Sequence, residues 1–157
     1  IRRPPRSTLS SSSAASDVYK RQLDNSQEML EKSKKTVSLT NRKGVEFILG
    51  DTSTALNLNI KSDLVIFNMV LHHIPTPAKI FRDAYSLLGA GGNLLIIDLC
   101  SHDQDWVRDS CGDLWLGFEE ADLNHWAKKA KLLEGQSSYL ALRNGFQIQM
   151  RVFRKNI

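Results

Sequence analysis

The sequence predicts an α/β fold whose sheet is mostly parallel and closes on an antiparallel hairpin, and three observations carry that reading. Asp63-Leu-Val-Ile-Phe67 is an unbroken apolar run behind an acidic opening residue, the pattern of a strand buried on both faces of a parallel sheet. Strand-like runs near 44–51, 63–67 and 93–99 alternate with stretches of helical periodicity. Asn144-Gly145 lies between two β-rich segments, 137–143 and 146–153, and is the strongest short-range hairpin signal.

In an open α/β sheet ligands bind outside the carboxyl ends of the strands. That rule places Asn68, Met69, Val70 and the His72-His73 pair just beyond them at the mouth of a site.

The 157 residues suit one domain with a sizeable core, and 41% hydrophobic with 24% charged residues is ordinary for a globular protein. No run approaches the roughly 20 apolar residues of a membrane span. Cys100 and Cys111 have no metal-type spacing and read as reduced thiols of a cytoplasmic protein. The chain has 21 basic and 17 acidic residues, but the first 22 residues hold five of the former and one of the latter. The remainder balances at 16 each, which argues against a nucleic-acid surface on the folded part.

Residues 1–22 contain Pro-Pro and a serine run without apolar periodicity, so they read as a disordered leader ahead of a domain at 23–157. A transit peptide is the functional alternative for this Arg- and Ser-rich stretch. Asp24, Asn25 or Ser26 can cap a helix whose Met29, Leu30 and Ser33 share a face. Gly44 to Asp51 is a short buried strand ending in a Gly-Asp turn. Pro75 and Pro77 precede a helix from about 78 to 88 with Ile80, Ala84, Leu87 and Leu88 as its stripe, and Gly89, Gly91 and Gly92 permit a helix end and tight return. Asn93 to Leu99 is a second buried strand with Asp98 at its end. His102, Asp103, Asp105 and Asp109 read as a solvated face and not as metal ligands, and no metal site is assigned. A helix after Gly117 buries Leu123, Trp126, Ala127 and Ala130, with acids in its first turn and lysines in its last.

Asp63-Leu-Val-Ile-Phe-Asn-Met-Val-Leu-His-His-Ile-Pro75, with the following helix, Leu87-Leu-Gly-Ala-Gly-Gly92 and the strand Asn93 to Asp98, resembles the second half of class I S-adenosylmethionine-dependent methyltransferases. It is most similar to their type 11 branch, and Trp115 to Leu123 resembles members fused behind ArsR-type regulators. The resemblance covers about 23–157 and implies a Rossmann-like sheet, S-adenosylmethionine as cofactor and a small-molecule acceptor. It also implies that Asp24, flanked by Asn25 and Ser26, accepts from the ribose hydroxyls, and that Asp51, between Gly50 and Thr52, accepts from the adenine amine. Asn68, Met69 and Val70 fall at further adenosine-side contacts. His72, His73 and Trp115 fall at the acceptor pocket.

Each of these residues also has a plainer role: helix cap for Asp24, turn former for Asp51, packing on neighbouring elements for the histidines and Trp115. The glycine-rich loop that the family carries after its first strand does not precede Asp24. The expectation is a fragment lacking that first strand, with an exposed edge on the strand from Asp63 to Asn68, an adapter-like leader joined near Leu23, and weak or absent activity by itself. Two other classes stay open: a nicotinamide-dependent oxidoreductase on a related sheet, and a non-catalytic output module of a regulator. Oligomeric state is not readable.

Overall fold

Ser26 opens the first helix: its extended backbone frees the side chain to accept from the Met29 N–H at 3.3 Å, filling one of the orphan donors of the first turn. The computed structural model describes residues 19–40 and 43–157, which divide into two compact units, one up to Ile60 and one from Lys61 onward. The expected leader lies outside the described residues up to residue 18. Its last three residues do not read as leader: β1 (Lys20–Asp24) begins inside that stretch.

In the first unit, α1 (Gln27–Leu39) carries the chain from β1 to β2 (Val45–Leu49), and the two strands pair in parallel from Lys20↔Val45 to Asp24↔Leu49. Arg21 and Tyr19 both reach Glu46, at 2.7 and 2.8 Å, which gives the polar residues of β1 a cross-strand reason to be extended. Leu30, Ser33 and Val37 form the buried face of α1, as the helical spacing predicts. The opposite face carries the exposed pairs Glu28–Lys32 and Glu31–Lys34. Replacing Ser26 with alanine is expected to cost about 1 kcal/mol of local stability. Amide hydrogen exchange across the first turn of α1 measures it. A second helix, α2 (Thr52–Asn57), follows β2 directly.

In the second unit, β3 (Ser62–Asn68), β4 (Leu88–Leu99), β5 (Leu132–Ala141) and β6 (Gln147–Lys155) form one sheet in the order β3-β4-β6-β5. The β3–β4 pair is parallel and the other two pairs are antiparallel, so the mixed sheet follows the expected pattern. The expected burial of β3 on both faces is not met. β3 is an edge strand of its sheet, and Leu64 and Ile66 are 50% and 40% exposed.

α3 (Pro77–Leu87) lays Ile80, Phe81, Ala84 and Leu87 toward the sheet, and α5 (Glu120–Lys129) adds Leu123 and Ala127 to the same core. Along β4 and β6 the inward residues alternate, Leu94 and Ile96 on one and Arg151 and Phe153 on the other. The glycines after α3 are not a loop between helix and strand. β4 runs through them as a bulge, its register stepping from Ser62↔Leu88 to Leu64↔Asn93. Gly91 sits at φ +72°, and a Cβ on Gly92 would stand 3.1 Å from the carbonyl oxygens of Asp63 and Gly89. The hairpin turns at Arg143–Gly145, closed by Leu142 N–H to Phe146 O at 2.8 Å, with Gly145 at φ +86°.

Candidate functional site

β3 ends at Asn68 because the next residue leaves the extended region: Met69 has φ +53°, and its N–H makes a last ladder bond to Ile97 O at 2.7 Å. Val70, exposed, then opens a single 3-10 turn over Leu71–His73. What fixes that turn is a buried carboxylate on the neighbouring strand. Asp98 lies two residues beyond Ile96 and four beyond Leu94, so the two-residue repeat points it to the same inward face. It is fully buried and accepts three hydrogen bonds: from Leu71 N–H at 2.8 Å, from its neighbour Leu99 N–H at 2.8 Å, and from His72 Nδ1 at 2.6 Å. A carboxylate only accepts, so the His72 proton stands on Nδ1 and Nε2 faces the other way.

On that other side is Asp113. α4 (Trp106–Cys111) stops at Gly112, whose left-handed φ of 75° turns the chain back toward the 3-10 turn. Two backbone bonds pin the segments together, from Leu114 N–H and Trp115 N–H to His72 O at 3.0 and 3.1 Å. The Asp113 Oδ1 atom then lies 3.9 Å from His72 Nε2 and 3.6 Å from His73 Nδ1. Burial works against an imidazolium at His72. The Asp98 hydrogen bond and charge, with the Asp113 charge behind them, outweigh it and hold the His72 pKa above the ordinary histidine value. Trp115 donates its Nε1–H to Ile74 O at 2.9 Å and packs among Phe118 and Trp126 at the edge of the core.

Of the residues singled out in the sequence, His72, His73 and Trp115 are thus brought together beside Asn68–Val70. Asp98 and Asp113, which sequence reasoning gave no role, complete the group. The first unit holds the rest. Asp24 ends β1 and accepts from Ser26 N–H through Oδ1 at 2.9 Å, while Ser26 and not Asp24 caps α1; Asn25 is exposed. Gly50 N–H donates to Asp24 O at 3.0 Å, which sets the ends of the two parallel strands side by side. Asp51 caps α2 in a box with Thr54, accepting from its N–H at 3.0 Å, and Thr52 is the first residue of that helix. Two carboxylates at adjacent strand ends are a donor-accepting pair of the kind that the hydroxyls and amine of an adenosine require, so the residues present fit that group.

The expected solvated face of 102–109 holds for Asp103, Asp105 and Asp109, which are exposed; His102 instead packs edge-on against Phe146, 4.8 Å between ring centres. Cys100 is half-buried and Cys111 exposed, and burial, with the Glu119 charge beside it, pushes the Cys100 thiol above its ordinary value. Ellman's reagent at about pH 8 is therefore expected to react in two phases, Cys111 first and Cys100 roughly tenfold slower or more. A Cys111→Ser variant should lose the fast phase only.

The profile of a protein family described as a methyltransferase domain matches residues 20–147. The chain belongs to this methyltransferase family. Solved structures give the same fold. A Bacillus halodurans protein assigned as a methyltransferase superposes with a TM-score of 0.76 at 14% identity, covering 89% of this chain and 84% of that one. The [4+2]-cyclase SpnF gives 0.74 at 10% identity over 89% and 67%. An S-adenosylmethionine-dependent methyltransferase of Methanosarcina mazei gives 0.66 at 13% over 91% and 85%. At these identities the likeness speaks for the Rossmann-like α/β fold alone. No curated protein matches the sequence, and no described helix is long and apolar enough to cross a membrane.

Proposed function

We propose that this methyltransferase domain transfers the methyl group of S-adenosylmethionine to a small-molecule acceptor in the cytoplasm. The observation that carries the reading is the family match over 20–147, which contains every strand end at which a cofactor residue was expected. Asp24 and Asp51 would accept from the ribose hydroxyls and the adenine amine. In the second unit, Asn68 at the end of β3, with Met69 and Val70 after it, is where the resemblance puts further adenosine-side contacts. When bound, S-adenosylmethionine would supply an electrophilic methyl on a sulfonium. The chain's own part is then chiefly orientation, because methyl transfer in line with a held nucleophile gains most from proximity. His72, His73 and Trp115 form the acceptor side, with Trp115 fixed by its bond to Ile74 O.

The test separates ligand roles from cap roles by choice of side chain. Asp51→Ser keeps a capping oxygen for α2 and Asp24→Asn keeps an acceptor for Ser26 N–H, while both remove the carboxylate. Each is expected to weaken S-adenosylhomocysteine binding about tenfold or more in calorimetric titration, with unchanged circular dichroism. Unaltered affinity in both variants would overturn the assignment of these residues.

A further inference from the structure

We propose that His72, His73 and Asp113 form a binding site for one divalent transition-metal ion of the zinc class. Their potential ligand atoms all lie within 4.8 Å of one another, and they form a cluster of histidine and carboxylate among the described residues that no helix cap or surface pair accounts for. The two imidazole nitrogens stand 3.9 and 3.6 Å from the same carboxylate oxygen, too far for hydrogen bonds. Two ligands held about 2.1 Å from a tetrahedral ion are roughly 3.4 Å apart. The two nitrogen-to-oxygen separations are near that value, while the widest in the cluster, up to 4.8 Å, must close to about 4.2 Å or less, twice the bond length, for one ion to hold all three arms.

The second observation is Asp113 itself. The residue is 6% exposed, and its Oδ1 is buried without a hydrogen-bond partner. A sealed carboxylate oxygen lacking a donor is costly, and a cation at the centre of the cluster satisfies it. The third is the bond from His72 Nδ1 to Asp98. Metal-bound histidines characteristically give their other ring N–H to a carboxylate, which fixes the tautomer and aims the free nitrogen at the ion. Asp98 does this for Nε2. His73 Nδ1 also approaches Gly112 O at 3.4 Å, a weak contact that competes for the same nitrogen.

Two nitrogens and one carboxylate oxygen favour zinc, cobalt or iron over magnesium or calcium, which prefer oxygen throughout. Three protein ligands leave a coordination position open, and the His73 side chain is 25% exposed, so the open side meets solvent. On the reading given under Proposed function, that position would take an oxygen or nitrogen donor of the acceptor.

Cobalt(II) titrated into the tag-free full chain, in the absence of any methyl donor, tests the site by its visible absorption. The expected result is one equivalent bound with visible bands, displaced by zinc and not by magnesium. Asp113→Asn and His73→Gln should each lower cobalt affinity at least about tenfold, and Asp98→Asn by about 10- to 100-fold with the bands regained at saturation. His125→Gln, on an exposed face of α5, should change nothing. His73 is partly exposed, so its variant keeps the test alive if Asp113→Asn unfolds. Absence of the bands, or wild-type affinity in His73→Gln, overturns the site and leaves a metal-free ion pair of His72 with its two carboxylates. Cobalt is read without S-adenosylhomocysteine, so failure here is distinct from failure of the methyltransferase reading.

Discussion

Replacing Asp98 with alanine is expected to remove about 3–5 kcal/mol of stability from the second unit, the cost of deleting one partner of a buried charged pair. The loss is not spread over many contacts. Asp98 is the acceptor for Leu71 N–H, Leu99 N–H and His72 Nδ1, so alanine leaves two backbone donors and an imidazole unsatisfied in a dry core. Each such orphan costs about 1–3 kcal/mol. Asparagine keeps one acceptor oxygen but turns an amide toward a donor, and should lie between. Urea unfolding of the three proteins in chelator-containing buffer measures the order. An alanine variant within about 0.5 kcal/mol of wild type would mean that the carboxylate does not hold the 3-10 turn.

Gly117→Ala is expected to be nearly as damaging, and Gly112→Ala mild, although both glycines have φ near +75°. A Cβ on Gly117 would stand 2.1 Å from Cys100 O and 2.6 Å from its carbonyl carbon, so backbone must move against backbone. That contact is part of the bridge Cys100↔Phe118, and moving it displaces the segment that carries Asp113 and Trp115. Roughly 3 kcal/mol or more should be lost. Around Gly112 nothing lies within 4 Å of the added carbon, which leaves only the left-handed backbone penalty of about 1 kcal/mol. Equal losses in the two variants would show that backbone strain alone, without the clash, sets the cost.

These residues also mark how far the sequence could be read. Runs such as Leu94 to Leu99 and the Asn144-Gly145 turn are local signals, and β2, β3, the second half of β4, the hairpin and both core helices followed from them. The edge position of β3 agrees with the expected lack of the strand that should cover it. The exposure of its face was not local: Leu64 and Ile66 look the same in sequence whether or not another element packs over them. The leader boundary failed for the same reason, since Lys20, Arg21 and Gln22 are polar and become strand only by pairing with β2.

Within the site, the histidines stood out as an adjacent pair after a strand, but their carboxylates did not. Asp113 is distant in sequence and arrives through the Gly112 turn, which no periodicity announces. Asp98 did carry a readable sign: an acid at the inward step of the repeat Leu94, Ile96, Asp98, where a buried strand puts a side chain that must find donors.

The central claim is that this domain takes a methyl donor. Calorimetric titration of S-adenosylhomocysteine and of a reduced nicotinamide dinucleotide into this chain tests it most directly. The account predicts saturable binding of S-adenosylhomocysteine and none of the dinucleotide. Dinucleotide binding with no response to S-adenosylhomocysteine would contradict it.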